Sequence, residues 1–185
     1  MKKLCLAVLA LFCATVLTAG AAEKEKNHLR ARLVGIEETN PSTIITNGTG
    51  TLTATVNNDS SITFTLSYKN LSTPVTQAHI HIGATKITGG VAIFFCGPAA
   101  SPAHQTCPDS ATHSGTVTGT VVAADVVGPA GQGVAAGDFA SVVRAIASGV
   151  TYANVHTTAH PAGEIRGQIR QLGDDEDDEL PGADR

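Results

Sequence analysis

The chain has 185 residues and a formal net charge of −4, a length that suits one domain with short terminal additions. Seven of its sixteen acidic residues lie in the C-terminal segment "DDEDDELPGADR", so the rest of the chain is close to neutral. A neutral body with an acidic tail argues against nucleic-acid binding, which normally needs a basic face. We expect residues 173–185 to form a disordered, solvated tail, with weak calcium binding as the alternative.

The first residues have the layout of a secretory signal peptide. Lys2 and Lys3 precede an apolar run over 4–17, and the small residues 19–21 offer a cleavage site. We therefore predict that residues 1–21 are removed on export, which leaves a short extension over 22–28 and a secreted or periplasmic protein with no membrane anchor. A retained anchor is the alternative, because the uncharged run approaches a membrane-spanning length.

Short runs of alternating polar and apolar residues recur through residues 29–172, with turn residues between them. This pattern is typical of an antiparallel sheet. In chain order the runs are "LRARLVGI" (29–36), "TLTATV" (51–56), "ITFTLSY" (62–68), "TQAHIHIG" (76–83), "VAIFF" (91–95), "GTVTGTVV" (115–122), "TYANVHT" (151–157) and "GEIRGQIRQ" (163–171). About eight strands are enough to close a β-sandwich or barrel, so we predict an all-β domain.

The mature chain keeps two cysteines, because Cys5 and Cys13 would leave with the signal peptide. Cys96 and Cys107 bracket the irregular segment "GPAASPAHQT", which has two prolines. In an exported protein, two such cysteines most simply form one structural disulfide. Two free thiols or two metal ligands are the alternatives.

One segment departs from strand periodicity. In "GDFASVVRAIASG" (137–149) the apolar residues follow an i, i+3, i+4, i+7 stripe, with Asp138 placed to cap the start and Gly149 to end the helix. We predict a short amphipathic helix that covers one end of the sheet structure, with a partner-binding surface as the alternative.

Histidines cluster in two of the predicted strands. In "AHIHIG" (78–83), His79 and His81 share one face of the strand, while the alanine and isoleucines share the other. In "YANVHT", His156 lies opposite the small and branched apolar set. If those apolar sets point to the core, all three imidazoles face outward, and the two strands could bring them together if they are neighbours.

Imidazole is a common protein ligand for zinc and copper, so the pattern predicts a metal site made by His79, His81 and His156. His160 lies in the turn "TAHPA" and is a candidate fourth ligand, as is Glu164. A hydrogen-bonded structural histidine cluster is the alternative interpretation.

Polar residues also alternate along the last strand. Glu164, Arg166 and Gln168 share one face of "EIRGQIR", which predicts a structural polar ladder in which Arg166 pairs with Glu164 or with acceptors across the sheet. Ligand recognition by Arg166 is the alternative. The sequence has no G-x-S-x-G, no glycine-rich phosphate loop and no HExxH motif, so we expect no enzymatic activity.

These motifs together resemble the CHRD domain, the repeat found in chordin and in many exported bacterial proteins. The resemblance is carried by "AHIHIG", by "GGVAIFFC", by "TYANVHT" and by the closing "PAGEIRGQ", and it covers residues 29–171. It implies an antiparallel Greek-key β-sandwich or barrel. It also implies a binding or structural role outside the cell, but it names no ligand.

The HIH strand also resembles the HVH copper strand of copper–zinc superoxide dismutases, with His79 and His81 at copper-ligand positions and His156 at a later one. No bridging histidine and no zinc-binding aspartate set can be read from the sequence. The leading hypothesis is therefore an exported, non-enzymatic CHRD-like module. The alternative is a copper- or zinc-binding protein with dismutase-like chemistry as its extreme form, and an extracellular protein partner is a third possibility.

Overall fold

The structure is a computed structural model, and it describes residues 27–39, 41–58, 60–98 and 105–172. The predicted signal peptide and most of the N-terminal extension lie outside the described residues, as does the predicted acidic tail. Among the residues that are described, no helix has the length and apolar character needed to cross a membrane.

Eight main strands and one two-residue strand form a single antiparallel sheet. They are β1 (His28–Val34), β2 (Thr49–Val56), β3 (Ile62–Lys69), β4 (Val75–Ile82), β5 (Gly90–Cys96), β6 (Gly115–Val121), β7 (Thr151–Thr157), β8 (Ile165–Gln168) and β9 (Arg170–Gln171). Their order across the sheet is β5-β4-β7-β8-β1-β2-β3-β6, and β9 also pairs with β1. A bridge between Ile93 of β5 and Val126, just after β6, brings the two edges together into a nearly closed barrel. The predicted antiparallel all-β fold is confirmed.

The barrel interior follows from strict alternation in β1, β2, β3 and β6. Leu52 lies opposite Leu66, and Leu66 lies opposite Val117, so one row of core side chains crosses three strands. All three are buried, while the intervening threonines of these strands point outward. Each large aliphatic side chain buried in this way contributes roughly 1.5–3 kcal/mol, which makes the alternation the main source of the fold's stability.

The predicted helix is present as α1 (Phe139–Ala147). Asp138 caps its start, because the side-chain Oδ1 accepts from the backbone N–H of Ser141 at 3.0 Å. Gly149 follows its end with a φ of +66°, a conformation that favours glycine. The apolar stripe is buried against the barrel core through Phe139, Val142 and Ile146, so the predicted packing role is confirmed.

Cys96 and Cys107 form a disulfide, as predicted, with their Cα atoms 4.9 Å apart. Cys96 is the last residue of β5, and the bond joins it to a segment that leads into β6. Closing so short a loop stabilises the fold by about 3 kcal/mol through the entropy of the unfolded chain.

Candidate metal centre

The three histidines predicted to act together come from neighbouring strands. β4 and β7 are antiparallel partners, in which His79 lies opposite Asn154 and Gln77 lies opposite His156. His79, His81 and His156 project from the same face of this strand pair, away from the apolar set that lines the barrel. The sequence prediction that the two segments would meet is therefore confirmed, and we call these three residues the histidine triad.

The rings of the triad are close enough to share one ion. One ligand nitrogen from each residue can be chosen so that all three lie within 4.8 Å of one another. His79 Nδ1 and His156 Nε2 lie 3.2 Å apart. Two nitrogens on a tetrahedral zinc ion, each bonded at 2.0–2.1 Å, lie about 3.3 Å apart. This separation is close to that of two ligands of one metal ion, but here the two nitrogens share a hydrogen bond, which an ion bound between them would replace.

The triad is buried, which corrects the prediction that these imidazoles face solvent. Their exposed fractions are 2% for His79, 8% for His81 and 5% for His156. Phe94 of β5 covers His79 with ring centroids 4.3 Å apart, and Tyr152 stacks on His81 at 4.8 Å. Alternation along the strands correctly gave the face of the sheet, but aromatic rings and loops cover that face.

Hydrogen bonds fix the protonation of two triad members. The carbonyl of Gly89 accepts from His81 Nδ1–H, and the carbonyl of Pro161 accepts from His156 Nδ1–H, each at 3.0 Å. A carbonyl oxygen can only accept, so each ring has its proton on Nδ1 and a lone pair on Nε2. Such outer carbonyl contacts orient histidine ligands in metal sites.

Two ring nitrogens of the triad have no partner. The His156 Nε2 lone pair accepts from His79 Nδ1–H, which leaves His79 Nε2 as a second acceptor. His79 Nε2 and His81 Nε2 are both buried and without a hydrogen-bond partner among the described residues. A buried polar atom left unpaired lowers the stability of the fold by about 1–3 kcal/mol. A ligand bound to these two lone pairs would remove that penalty.

Burial also keeps the triad uncharged. It lowers the pKa of His79 to about 2, with the neighbouring His156 and His81 adding to the effect. It lowers the pKa of His81 to about 4, and it lowers the pKa of His156 as well. All three rings are therefore neutral at neutral pH, which is the form that binds metal ions.

The loop that carries Gly89 is held against the triad by Arg166. The guanidinium lies 3.5 Å from the centre of the Tyr152 ring and donates to the carbonyls of Ala84 and Ile87 at 3.1 and 3.0 Å. Tyr152 in turn stacks on His81 with its ring plane within 2° of parallel. Arg166, Tyr152 and His81 thus form a continuous stack that fixes one side of the triad.

Gly89 itself is required for this arrangement. A Cβ atom built at this position would lie 1.6 Å from the carbonyl oxygen of Ile82, a distance that no side chain can occupy. The absence of a side chain lets the loop backbone approach β4 closely enough for its carbonyl to accept from His81.

A buried carboxyl group extends this polar region and was not identified from the sequence. Glu38 follows β1 and a 3-10 turn, and its Oε1 accepts from Asn154 Nδ2. Burial raises the pKa of Glu38 to about 7, against the opposing effects of the Asn154 hydrogen bond and the Arg166 charge. The sequence "IEETNP" contains no periodic signal that could have placed this side chain inside.

Several residues predicted at the site lie elsewhere. His160 is not part of the ligand cluster found among the described residues. Its backbone carbonyl accepts from the backbone N–H groups of Thr157 and Gly163 within the β7–β8 turn, and the structure does not bring it to the triad as the predicted fourth ligand. Glu164 is not in the cluster either, because its carboxylate accepts from Thr46, Ser72 and Thr157.

The predicted polar ladder of Glu164, Arg166 and Gln168 is buried or half-buried, but its members bond to different parts of the fold. Arg166 contacts the 83–89 loop, and Gln168 donates to the carbonyls of Gly83 and Gly149 at 3.0 and 2.8 Å. No hydrogen bond or ion pair joins these three side chains to one another among the described contacts. Each therefore ties a separate loop to β8.

One family model covers most of the described chain. A family model described as the CHRD domain matches residues 29–169. The chain belongs to this family. The match runs from β1 to the end of β8, so the CHRD domain includes the triad and both disulfide cysteines. No curated protein matches the chain, and no solved structure does.

The geometry matches the dismutase resemblance in one respect, the meeting of His79, His81 and His156. The described part of this CHRD domain contains one group of three or more potential ligand residues, the histidine triad. A second, adjacent metal site is not found there.

A surface groove lined by Arg30, Arg32 and Lys69 lies on the other side of the domain and includes none of the three histidines.

Proposed function

We propose that this CHRD domain is an exported metal-binding module that holds one transition-metal ion on His79, His81 and His156. The observation that carries the proposal is the convergence of three neutral imidazoles, two of which have a buried lone pair with no hydrogen-bond partner among the described residues. Three imidazole ligands with an open fourth position are an established arrangement for zinc, and copper binds imidazole well.

The orphaned nitrogens favour this function over a purely structural cluster. A structural cluster would pair each ring nitrogen, because a buried acceptor without a donor weakens the fold. In the triad, His79 Nε2 and His81 Nε2 remain unpaired at exposures below 10%. A bound ion would accept both lone pairs and convert this unfavourable feature into binding energy.

The proposed location and the proposed lack of catalysis rest on the sequence and on the disulfide. The signal-like segment 1–21 supports export, and disulfides form and persist mainly in oxidising compartments. We assign no reaction to the triad, since the chain has no recognisable nucleophile motif. An extracellular protein partner stays a prediction from family membership.

Metal titration of the purified protein tests the proposal. We expect one equivalent of copper or zinc to bind per chain, measured by competition with a chromophoric chelator and by elemental analysis after gel filtration. The variants H81Q and H156Q should lose at least 95% of this stoichiometric binding while they keep the circular dichroism spectrum of the parent.

The matched control is H28Q. His28 is an exposed histidine that donates to or accepts from Thr55 and lies on β1, outside the triad. This variant should bind the metal as the parent does. If folded parent protein binds no stoichiometric metal at micromolar concentration, or if H28Q loses binding as H81Q does, the proposal is wrong.

A further inference from the structure

The ligand set of the triad carries no charge. The three ligand residues are neutral imidazoles, and no aspartate, glutamate or cysteine joins them in the cluster among the described residues. Carboxylate and thiolate ligands in other metal sites offset the charge of a divalent ion. The three imidazoles therefore leave the positive charge of a bound ion uncompensated.

The surroundings of the triad do not offset a charge either. The Arg166 guanidinium lies 3.5 Å from the centre of the Tyr152 ring, which stacks on His81, so a positive charge stands close to the triad. The nearby carboxyl of Glu38 faces Asn154, and the charges of Arg166 and Lys86 act on it. Lys86 is paired with Glu37, and Arg166 balances any charge on Glu38, so these groups supply no net negative charge that could offset the charge of a divalent ion.

Burial makes the charge of the ion decisive. The free energy lost when an ion leaves water rises with the square of its charge, so a divalent ion loses about four times as much as a monovalent ion of the same size. The triad is almost fully enclosed. Zinc in such a site would have to bring an anion such as hydroxide into the same enclosed space.

Coordination number gives the same result. A four-coordinate zinc ion would need a water or hydroxide as its fourth ligand, because the triad supplies three nitrogens and His160 does not join them. A closed-shell monovalent copper ion is stable with three ligands. The described residues include no methionine that could supply a thioether ligand, and imidazole suits copper and zinc alike, so we attribute the preference to charge and coordination number.

From this neutral, enclosed, three-nitrogen ligand set we infer that the triad selects Cu(I) over Cu(II) and Zn(II). The inference rests on the proposed function, because it names the ion held by the same three histidines. The ion would be bound as supplied, with no change of oxidation state in the site.

Competition titrations on the purified protein test the selectivity. Cu(I) is supplied anaerobically with ascorbate and bicinchoninate as competitor, and Zn(II) and Cu(II) are titrated against chelators of known affinity. Only the part of each binding curve that H81Q removes is counted. We expect the Kd for Cu(I) to be at least tenfold lower than the Kd for either divalent ion, and a smaller ratio overturns the inference.

A charge substitution beside the triad isolates the cause. Phe94 is half-buried, and its ring lies 4.3 Å from that of His79. Relative to the uncharged control F94Q, the variant F94E should lower the Kd for Zn(II) at least tenfold more than it lowers the Kd for Cu(I). Equal changes for the two ions would contradict a charge-based preference.

The titrations distinguish a failure of metal binding from a failure of Cu(I) selectivity. If the folded protein binds none of the three ions, the proposed function itself is wrong. If Zn(II) or Cu(II) binds through all three histidines as tightly as Cu(I), metal binding stands and only the monovalent selectivity is wrong.

Discussion

The two sides of the barrel use the same strand alternation with opposite results. On β1, β2, β3 and β6, which we call the open side, the outward residues are mainly threonines and most of them are exposed. On β4, β7 and β8, the covered side, the outward residues include the triad and Asn154, and β7 is buried at every position. Both sides have an apolar inner face, so the difference lies outside the barrel.

Loops account for this difference. The 83–89 loop and the β7–β8 turn contribute Gly89 and Pro161, whose carbonyls accept from the triad. The segment after β1 contributes Glu38, which accepts from Asn154. On the covered side a polar outward residue therefore finds protein partners, whereas on the open side it finds water. Substitutions of matched polar residues on the two sides should differ accordingly.

The largest effect is expected at Glu164, which accepts four hydrogen bonds and is completely buried. E164A would leave the donors of Thr46, Ser72 and Thr157 unpaired, so we expect a loss of roughly 3–5 kcal/mol in the free energy of unfolding. Urea denaturation measures it. The control E37A removes an exposed ion pair with Lys86 and should change stability by less than about 0.5 kcal/mol. Similar losses for the two variants would contradict the assignment of Glu164 as a buried anchor.

The next effect concerns Asn154, the covered-side residue opposite His79. N154A would remove the hydrogen bonds to Glu38 and to the carbonyl of Ile165, the latter 2.9 Å long. We expect a loss of roughly 2–3 kcal/mol, since one of the abandoned acceptors is a buried carboxyl group. Thermal unfolding followed by circular dichroism gives the value, and a loss below about 1 kcal/mol would show that the covered side is not tightly bonded.

A pH-dependent effect is expected at Glu38. Its pKa rises from 4.5 in the unfolded chain to about 7 in the fold, so its contribution to stability is fully present below pH 4.5 and is lost as the pH rises through 7. E38Q removes this loss. Its stability relative to the parent should therefore improve by about 2–3 kcal/mol between pH 5 and pH 8. Urea denaturation at both pH values measures the change, and a change of opposite sign would mean that Glu38 is ionised in the fold.

The smallest effect is expected on the open side. Thr65 lies on β3 between Thr53 of β2 and Thr118 of β6, and its side chain is exposed. T65A should change the free energy of unfolding by less than about 0.5 kcal/mol, because water replaces anything the hydroxyl loses. A loss comparable to that of N154A would mean that the open side is covered in solution.

The periodicity of the sequence correctly predicted the strands and the helix, because each of these elements is set by residues close together in the chain. The alternating runs matched β1 to β8 to within a few residues, and the stripe of Phe139, Val142 and Ile146 matched α1. The pairing of the two cysteines followed from their number and from the expected export. The shared face of His79 and His81 followed from their spacing of two.

What the sequence did not reveal depends on loops. Burial of the triad requires the Gly89 carbonyl and the Tyr152 ring, and neither position has a pattern that places it over β4. Glu38 is buried because Asn154 lies beneath it, a contact across 116 residues of sequence. His160 appeared close to His156 in the chain, but the tight β7–β8 turn uses its backbone instead.

The join between the barrel edges has a consequence for how an ion could reach an enclosed site. β5 is held to β4 by a ladder of paired residues, and on its other edge the described residues provide the bridge from Ile93 to Val126 and, at the end of the strand, the disulfide from Cys96. Phe94, which covers His79, follows Ile93 along that strand. Because Phe94 is half-buried and its ring lies against that of His79, an ion that approaches His79 from the β5 side meets this ring first.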